Sequence, residues 1–196
     1  MISTLCFDSP LGRMQATAEG YALTGLYFIG QQHFPDTAGD WAEDARAQPF
    51  ATLRRQLDEY FAGRRQAFDL PLAPGGGRGT VFQHAVWDAI AAVPFGATTT
   101  YAALATQCGR PLAARASGAA TGRNPISLII PCHRIVGTSG ALTGYAGGLE
   151  RKRTLLAFER AVAEGDVRPI AGFVAAGGAA PAATTARPAQ AVLGLR

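Results

Sequence analysis

The chain has 196 residues and a mass of 20.4 kDa, enough for one large domain or two small ones with a real core. Hydrophobic residues make up 48% and charged residues 16%, which excludes a wholly disordered chain, and no apolar run approaches the roughly 18 residues of a membrane span. The net charge of +4 is unevenly spread: residues 1–79 hold seven arginines against nine acidic residues, whereas residues 80–160 hold seven arginines and Lys152 against Asp88, Glu150 and Glu159. A basic segment beside a mildly acidic one points either to a polyanion such as nucleic acid or to a surface kept basic for solubility.

Residues 1–8 have neither a basic region nor a long apolar stretch, so they do not read as a secretory signal. Segments 2–8, 13–18 and 21–29, split by Ser9-Pro10-Leu11-Gly12 and Glu19-Gly20, predict three short strands in an antiparallel meander. Residues 30–48 are polar and irregular. From Pro49 onward, Leu53, Leu57, Tyr60 and Phe61 recur at helical spacing opposite Arg54, Arg55, Asp58 and Glu59, which predicts one amphipathic helix ending near Gly63. The Pro- and Gly-rich stretch 71–79 reads as a linker and sets the boundary of an N-terminal domain, residues 1–79.

Beyond the linker the pattern is helical in short pieces. Residues 81–93 predict a helix with Phe82, Val86 and Ile90 on one side, stopped by Pro94-Phe95-Gly96. Thr100 is placed to cap a second helix over 101–107, and Pro111 suits the first position of a third, 112–120. Helix, Gly-containing turn and helix make a helix-turn-helix outline. The third helix is thin: Ala113, Ala114, Ala116, Ser117, Gly118, Ala119 and Ala120 surround a single Arg115, which suits close approach to a groove or tight packing in a core. Residues 127–130 resemble a short strand leading to Pro131-Cys132-His133-Arg134, and a Gly-rich loop then precedes a last helix over 149–163. On that helix Glu159 falls on the apolar side, between Leu155 and Leu156, while Arg151, Arg153 and Arg160 point elsewhere. A carboxylate buried there needs a partner. These helices define a C-terminal domain, 80–163, and the Ala-, Gly- and Pro-rich residues 164–196 read as a disordered tail.

Three cysteines, Cys6, Cys108 and Cys132, fit neither a disulfide framework nor a paired zinc motif, which suits a reducing cytoplasm. Cys132 stands beside a histidine and an arginine, the company a thiol needs to react as thiolate, although a buried structural cysteine is the commoner case. With His133 as base and Glu159 as its orienter, it completes a nucleophile, base and carboxylate set. Cys6 and Cys108 lack such company and read as small core residues.

Taken in order, Phe82-Gln83-x-x-Val86-Trp87, Pro94-x-Gly96-x-Thr98-x-x-Tyr101, Ala114-Arg115-Ala116, Gly122-Arg123-Asn124-Pro125, Pro131-Cys132-His133-Arg134-Ile135-Val136, Leu142-Thr143-Gly144-Tyr145-x-Gly147-Gly148 and Lys152-x-x-x-Leu156-x-x-x-Glu159 strongly resemble the O(6)-alkylguanine-DNA alkyltransferases of the bacterial single-chain type. The resemblance implies an α/β plus α fold: a small ribonuclease-H-like N-terminal domain, similar here only in outline, and a helical C-terminal domain with a winged helix-turn-helix. It also implies direct-reversal DNA repair, with the alkyl group moved irreversibly from O6-alkylguanine in double-stranded DNA to Cys132, leaving O4-alkylthymine open as a second substrate. No cofactor is implied, and the protein is expected to act as a monomer away from any membrane.

By the same resemblance, His133 takes the thiol proton through a water while Glu159 orients the imidazole. Asn124 is the hinge between recognition helix and active-site turn, and Tyr101 donates a proton to the departing guanine. Arg115 replaces the flipped nucleotide in the stack, while Ala114, Ser117 and Gly118 let the helix lie in the minor groove and Thr138 touches phosphate. Tyr145 and Ala146 wall the guanine pocket, where backbone carbonyls near Cys132 and Ile135 accept the exocyclic amine. Ser117, Thr121 and Thr100 depart from the family's usual residues, which leaves the groove contacts less defined than the reactive set. Some relatives hold a zinc ion in the N-terminal domain; only Cys6 and His33 are available as Cys or His ligands here, so no metal is expected. The rival readings are a sensor that binds alkylated DNA without repairing it, a Cys-His hydrolase and a helix-turn-helix regulator. The sensors lack the nucleophile that this chain has.

Overall fold

A computed structural model of the chain describes residues 1–35 and 41–173. Strands β1 (Ile2–Ser9), β2 (Gly12–Glu19) and β3 (Ala22–Phe28) form the expected antiparallel meander, with Ser3 opposite Ala18 and Met14 opposite Phe28. A fourth strand, β4 (Trp41–Glu43), pairs parallel with β1, giving the order β3-β2-β1-β4. At three residues it is too short to show a periodicity, so the sequence does not reveal it. Helix α1 (Phe50–Phe61) buries Phe50, Leu53, Leu57, Tyr60 and Phe61 in one core with Met14, Ala16, Leu26 and Phe28 of the sheet. Each large apolar side chain so buried contributes about 1.5–3 kcal/mol.

The stretch read as a linker is fastened rather than loose. Leu23 donates its amide to Pro71 and receives that of Ala73, both at 2.9 Å, so the chain runs along the free edge of β3. A tight turn at Pro74–Gly77 then reverses it, with Gly75 and Gly76 at φ 63° and 65°, a left-handed backbone that glycine adopts without a Cβ clash. Thr80 opens α2 (Val81–Ala91) with a reciprocal cap: its hydroxyl accepts from the Gln83 amide and the Gln83 side chain accepts from its own.

Helix α3 (Tyr101–Gln107) starts at the expected Thr100 cap. Helix α4 (Ala114–Gly122) starts later than the sequence suggests. Pro111 serves a β-turn closed by Ala113 N–H to Arg110 O at 2.9 Å, and Leu112 is fully exposed. The Trp87 indole donates to the Ala120 carbonyl at 3.0 Å and holds α4 to α2. Residues 127–130 are not a strand. Ile129 bonds back to Ser127 and Ile130 to Ile126, and Leu128 takes φ 70°, so this run is apolar because it is buried, not because it is extended. Two-residue strands β5 (Thr99–Thr100) and β6 (Ile135–Val136) pair in parallel and tie the start of α3 to the far side of the Cys132 turn.

Helix α5 (Leu149–Ala163) has the expected bounds. After it, part of the expected disordered tail is docked: Ile170 is buried and its amide donates to Phe61 O at 2.8 Å. The rest of that tail, 174–196, lies outside the described residues. Of the two remaining cysteines, Cys6 is not a core residue, whereas Cys108 packs partly buried against the core. Strand alternation turns Cys6 outward while Phe7 turns in, and Cys108 sits half-buried just past α3. Among the described residues, no helix is long and apolar enough to cross a membrane.

Candidate active site

The reactive turn is held from both halves of the molecule. Leu26 of β3 donates to Pro125 O and accepts from Ser127 N, each at 2.8 Å, so the N-terminal sheet fixes the loop that delivers Cys132. Cys132 then opens a single helical turn, Cys132–Arg134, with its amide on Ile130 O. Its side chain is 3% exposed. Asn124, just past α4, spans this loop: its Nδ2 donates to Ile130 O at 2.7 Å and to Cys132 Sγ at 3.0 Å, and its Oδ1 accepts from Ile126 N. Burial pushes the Cys132 thiol up to about 11, while the Asn124 donor and the Lys152 ammonium pull the other way. The resting side chain is therefore a thiol and not a thiolate.

Glu159 is the partner-rich carboxylate that its place on α5 demanded. Its Oε1 accepts from Tyr60 Oη at 2.7 Å, His133 Nε2 at 2.9 Å and Arg134 Nη2 at 2.9 Å. Its Oε2 accepts from Arg134 Nε at 2.8 Å and the Gly96 amide at 3.2 Å. Burial alone would raise the carboxyl, but the His133 and Arg134 bonds outweigh it and hold Glu159 at about 2. Burial lowers the His133 pKa against the pull of Glu159, so the imidazole is neutral. With Nε2–H committed to Glu159, the second ring nitrogen, Nδ1, keeps its lone pair and makes no hydrogen bond among the described residues.

Lys152 is fully buried one turn before Leu156 and donates to Ile135 O at 2.5 Å and Thr143 O at 2.7 Å. Burial lowers it to about 8, partly offset by Cys132. The Ile135 carbonyl, expected to receive a guanine amine, accepts this one hydrogen bond and keeps a second lone pair for another donor. Tyr101 donates to the carbonyls of Thr143 and Gly144 at 3.2 and 3.1 Å, which keeps its hydroxyl at the loop 143–146. A cleft of about 470 Å³ opens there, lined by Tyr101, Gly118, Gly122, Tyr145 and Ala146, with Gln32 and His33 from the N-terminal half. The Tyr145 ring stands edge-on to His133 at 6.3 Å.

Outside this cluster, α4 presents Arg115 to solvent with Ala114 and Gly118 half-buried beside it, and Thr138 is exposed on the following loop. Ser117 departs from its expected place: it is fully buried, its hydroxyl without a partner among the described residues, and it points into the core with Ala120 and Thr121 rather than toward a groove. Helical periodicity explains this, since positions 117, 120 and 121 share one face and 115 and 119 another.

Sequence reasoning missed Tyr60, Arg134 and Lys152. Tyr60 read as one more apolar position of α1, and nothing local could show its hydroxyl reaching Glu159, 99 residues away. Lys152 on the buried side of α5 did carry a signal, the same apolar-face argument that singled out Glu159.

Two family models match the chain: the 6-O-methylguanine DNA methyltransferase ribonuclease-like domain over residues 2–74 and the DNA-binding domain of the same family over residues 81–161. A methylated-DNA–protein-cysteine methyltransferase of Mycolicibacterium paratuberculosis is 46% identical over 160 residues, spanning 82% of this chain and 93% of that protein. A namesake from Methanosarcina barkeri is 43% identical, spanning 78% and 93%. The crystal structure of Mycobacterium tuberculosis OGT in complex with DNA superposes with a TM-score of 0.74 at 43% identity, covering 82% of this chain and 94% of that one.

Proposed function

Because the chain belongs to the 6-O-methylguanine DNA methyltransferase family and repairs DNA by direct reversal, moving the alkyl group to a cysteine of its own, we propose that Cys132 is the acceptor and that His133 is its base. The observation that carries this assignment is the neutral, fully buried His133, fixed by Glu159 through Nε2 with Nδ1 left as a base, next in chain to a thiol that Asn124 orients.

In the reaction, the Cys132 sulfur forms a bond to the alkyl carbon as the bond from that carbon to O6 breaks. The thiol proton passes to His133 Nδ1 through a water molecule, and Glu159 stabilises the imidazolium that forms. Tyr101 supplies a proton to the departing guanine, which leaves as the neutral base, and its phenolate is re-protonated from solvent at the cleft. Until DNA binds, the thiol stays protonated and inert; a bound base that displaces solvent from the cleft completes the site. The product thioether has no good leaving group, so each molecule reacts once.

Guanine enters the cleft between α4 and the loop 143–146, against Tyr145 and Ala146, with its exocyclic amine on a carbonyl near Cys132. Arg115 occupies the vacated stack, Ala114 and Gly118 allow close approach to the minor groove, and Thr138 contacts phosphate. The protein works as a monomer, in two domains joined at 71–79, and in a reducing cytoplasm where Cys132 persists as a free thiol. The sensor alternative is not favoured, because the nucleophile is present, bonded to Asn124 and next in chain to the buried His133.

Peptide mapping after incubation with O6-methylguanine duplex tests the assignment. A methyl group should appear on Cys132 alone, in one equivalent. Cys132→Ser should transfer nothing yet retain its affinity for the alkylated duplex, since phosphate and shape contacts do not involve the sulfur. Methylation of Cys6 or Cys108, or transfer by Cys132→Ser, would overturn it.

A further inference from the structure

The Glu159 carboxylate is reached by one residue of the N-terminal half. Tyr60 of α1 is fully buried, and its hydroxyl donates at 2.7 Å to the same oxygen that holds His133 Nε2 at 2.9 Å. Its ring packs edge-on or tilted against Phe61, Phe68, Phe95 and Phe158, an environment that phenylalanine would fill equally well. What distinguishes tyrosine here is the hydroxyl, and its one partner among the described residues is Glu159. We propose that Tyr60 is a positioning residue for the base: by sharing the Glu159 oxygen that binds His133, its hydroxyl limits how strongly the carboxylate holds a proton on the imidazole. This rests on the assignment of His133 as base.

The physical argument is one of competition. Oε1 carries three donors, and each withdraws negative charge from the others. Arg134 bonds both carboxylate oxygens, and the Gly96 amide sits on Oε2 alone. Around His133 the remaining groups are Lys152 of α5, Tyr145 of the cleft loop and Cys132 on its own turn. Lys152 and Arg134 both oppose a second positive charge, while Glu159 favours it. Removing the Tyr60 hydroxyl leaves Oε1 with more charge for His133, so the imidazole holds its proton to higher pH and stops accepting one from Cys132. The N-terminal half thereby sets the pH range over which the C-terminal half reacts.

The test is the pH dependence of single-turnover transfer from free O6-benzylguanine, from about pH 5 to about pH 9, for the wild type, Tyr60→Phe, His133→Gln and the double variant. His133→Gln keeps an amide donor toward Glu159 but has no titrating ring. In Tyr60→Phe the acid limb should move up by about half to one pH unit, which is about 2- to 5-fold slower transfer at the wild-type midpoint and wild-type transfer at the alkaline plateau. That shift should be absent in the double variant. Replacing Tyr60 with a fluorinated tyrosine, a stronger donor of nearly the same shape, should move the limb down. If Tyr60→Phe slows transfer equally at every pH, or leaves the limb in place, the proposal is wrong and the His133 assignment stands. If His133→Gln keeps the wild-type rate and profile, both fall.

Discussion

The neighbourhood of Glu159 and the outer face of α4 follow opposite designs. Around Glu159, five donors from α1, the 94–96 loop and the Cys132 turn converge on one buried carboxylate. On α4, one exposed Arg115 stands among alanines and a glycine, and the polar side chains of the helix, Ser117 and Thr121, turn inward. The chemistry is built where water is excluded and charges are expensive unless fixed by donors. On the proposed assignment, recognition is built where the protein is thin and the long cation Arg115 is exposed. Direct proton handling needs a preorganised interior, whereas reading a distorted duplex needs access.

The most severe way to break the first region is Glu159→Gln. It leaves the Arg134 guanidinium buried without its anion, a cost of about 3–5 kcal/mol, and deprives His133 of its orienter, so transfer should fall by about 100- to 10,000-fold. The acid profile gives a second measure. Because the folded carboxyl is held at about 2, below the usual 4.5, its contribution to stability is complete above about pH 4.5 and is lost as pH falls toward 2. Urea midpoints should therefore show an acid-dependent loss on the order of 3 kcal/mol in the wild type that Glu159→Gln lacks. A variant with wild-type rate and the wild-type acid slope would reduce Glu159 to a packing residue.

Arg115→Ala probes the second region alone. Unstacking a base costs a few kcal/mol, and a guanidinium filling the vacated space offsets part of it. Repair of duplex DNA should slow by about 10- to 1,000-fold, on the order of 1.4 to 4 kcal/mol, with reaction toward free O6-benzylguanine unchanged. An equal loss on both substrates would mean that the α4 face and the reactive core are not separable.

Ser117→Ala has the smallest expected effect and sharpens where the α4 face ends. Its buried hydroxyl has no partner among the described residues, so its removal should change stability by less than about 1 kcal/mol, in the stabilising direction, and leave duplex affinity as it was. Weaker binding to alkylated duplex would restore Ser117 to the groove face.

Local rules made much of this molecule legible in the sequence. The three-strand meander, the Thr100 cap and the span of α5 follow from alternation, capping chemistry and helical periodicity, and each appears where those rules place it. The turn at Arg110–Ala113, the buried run 127–130 and β4 were less legible, because an apolar or Pro-containing stretch of three or four residues fits several backbones equally. The site divides in the same way. Cys132, His133 and Asn124 lie within ten residues, and Glu159 betrayed itself as a charge on an apolar face. Arg134 was in view but without a role. What tertiary structure alone decided is who satisfies Glu159 and who lends Cys132 its surroundings. Tyr60 reaches the carboxylate from another domain, Lys152 reaches two carbonyls across a loop, and Leu26 holds the loop that precedes Cys132. A sequence records that a buried charge must be paired; which distant side chain pairs it depends on how whole elements pack, and that is not written in any local pattern.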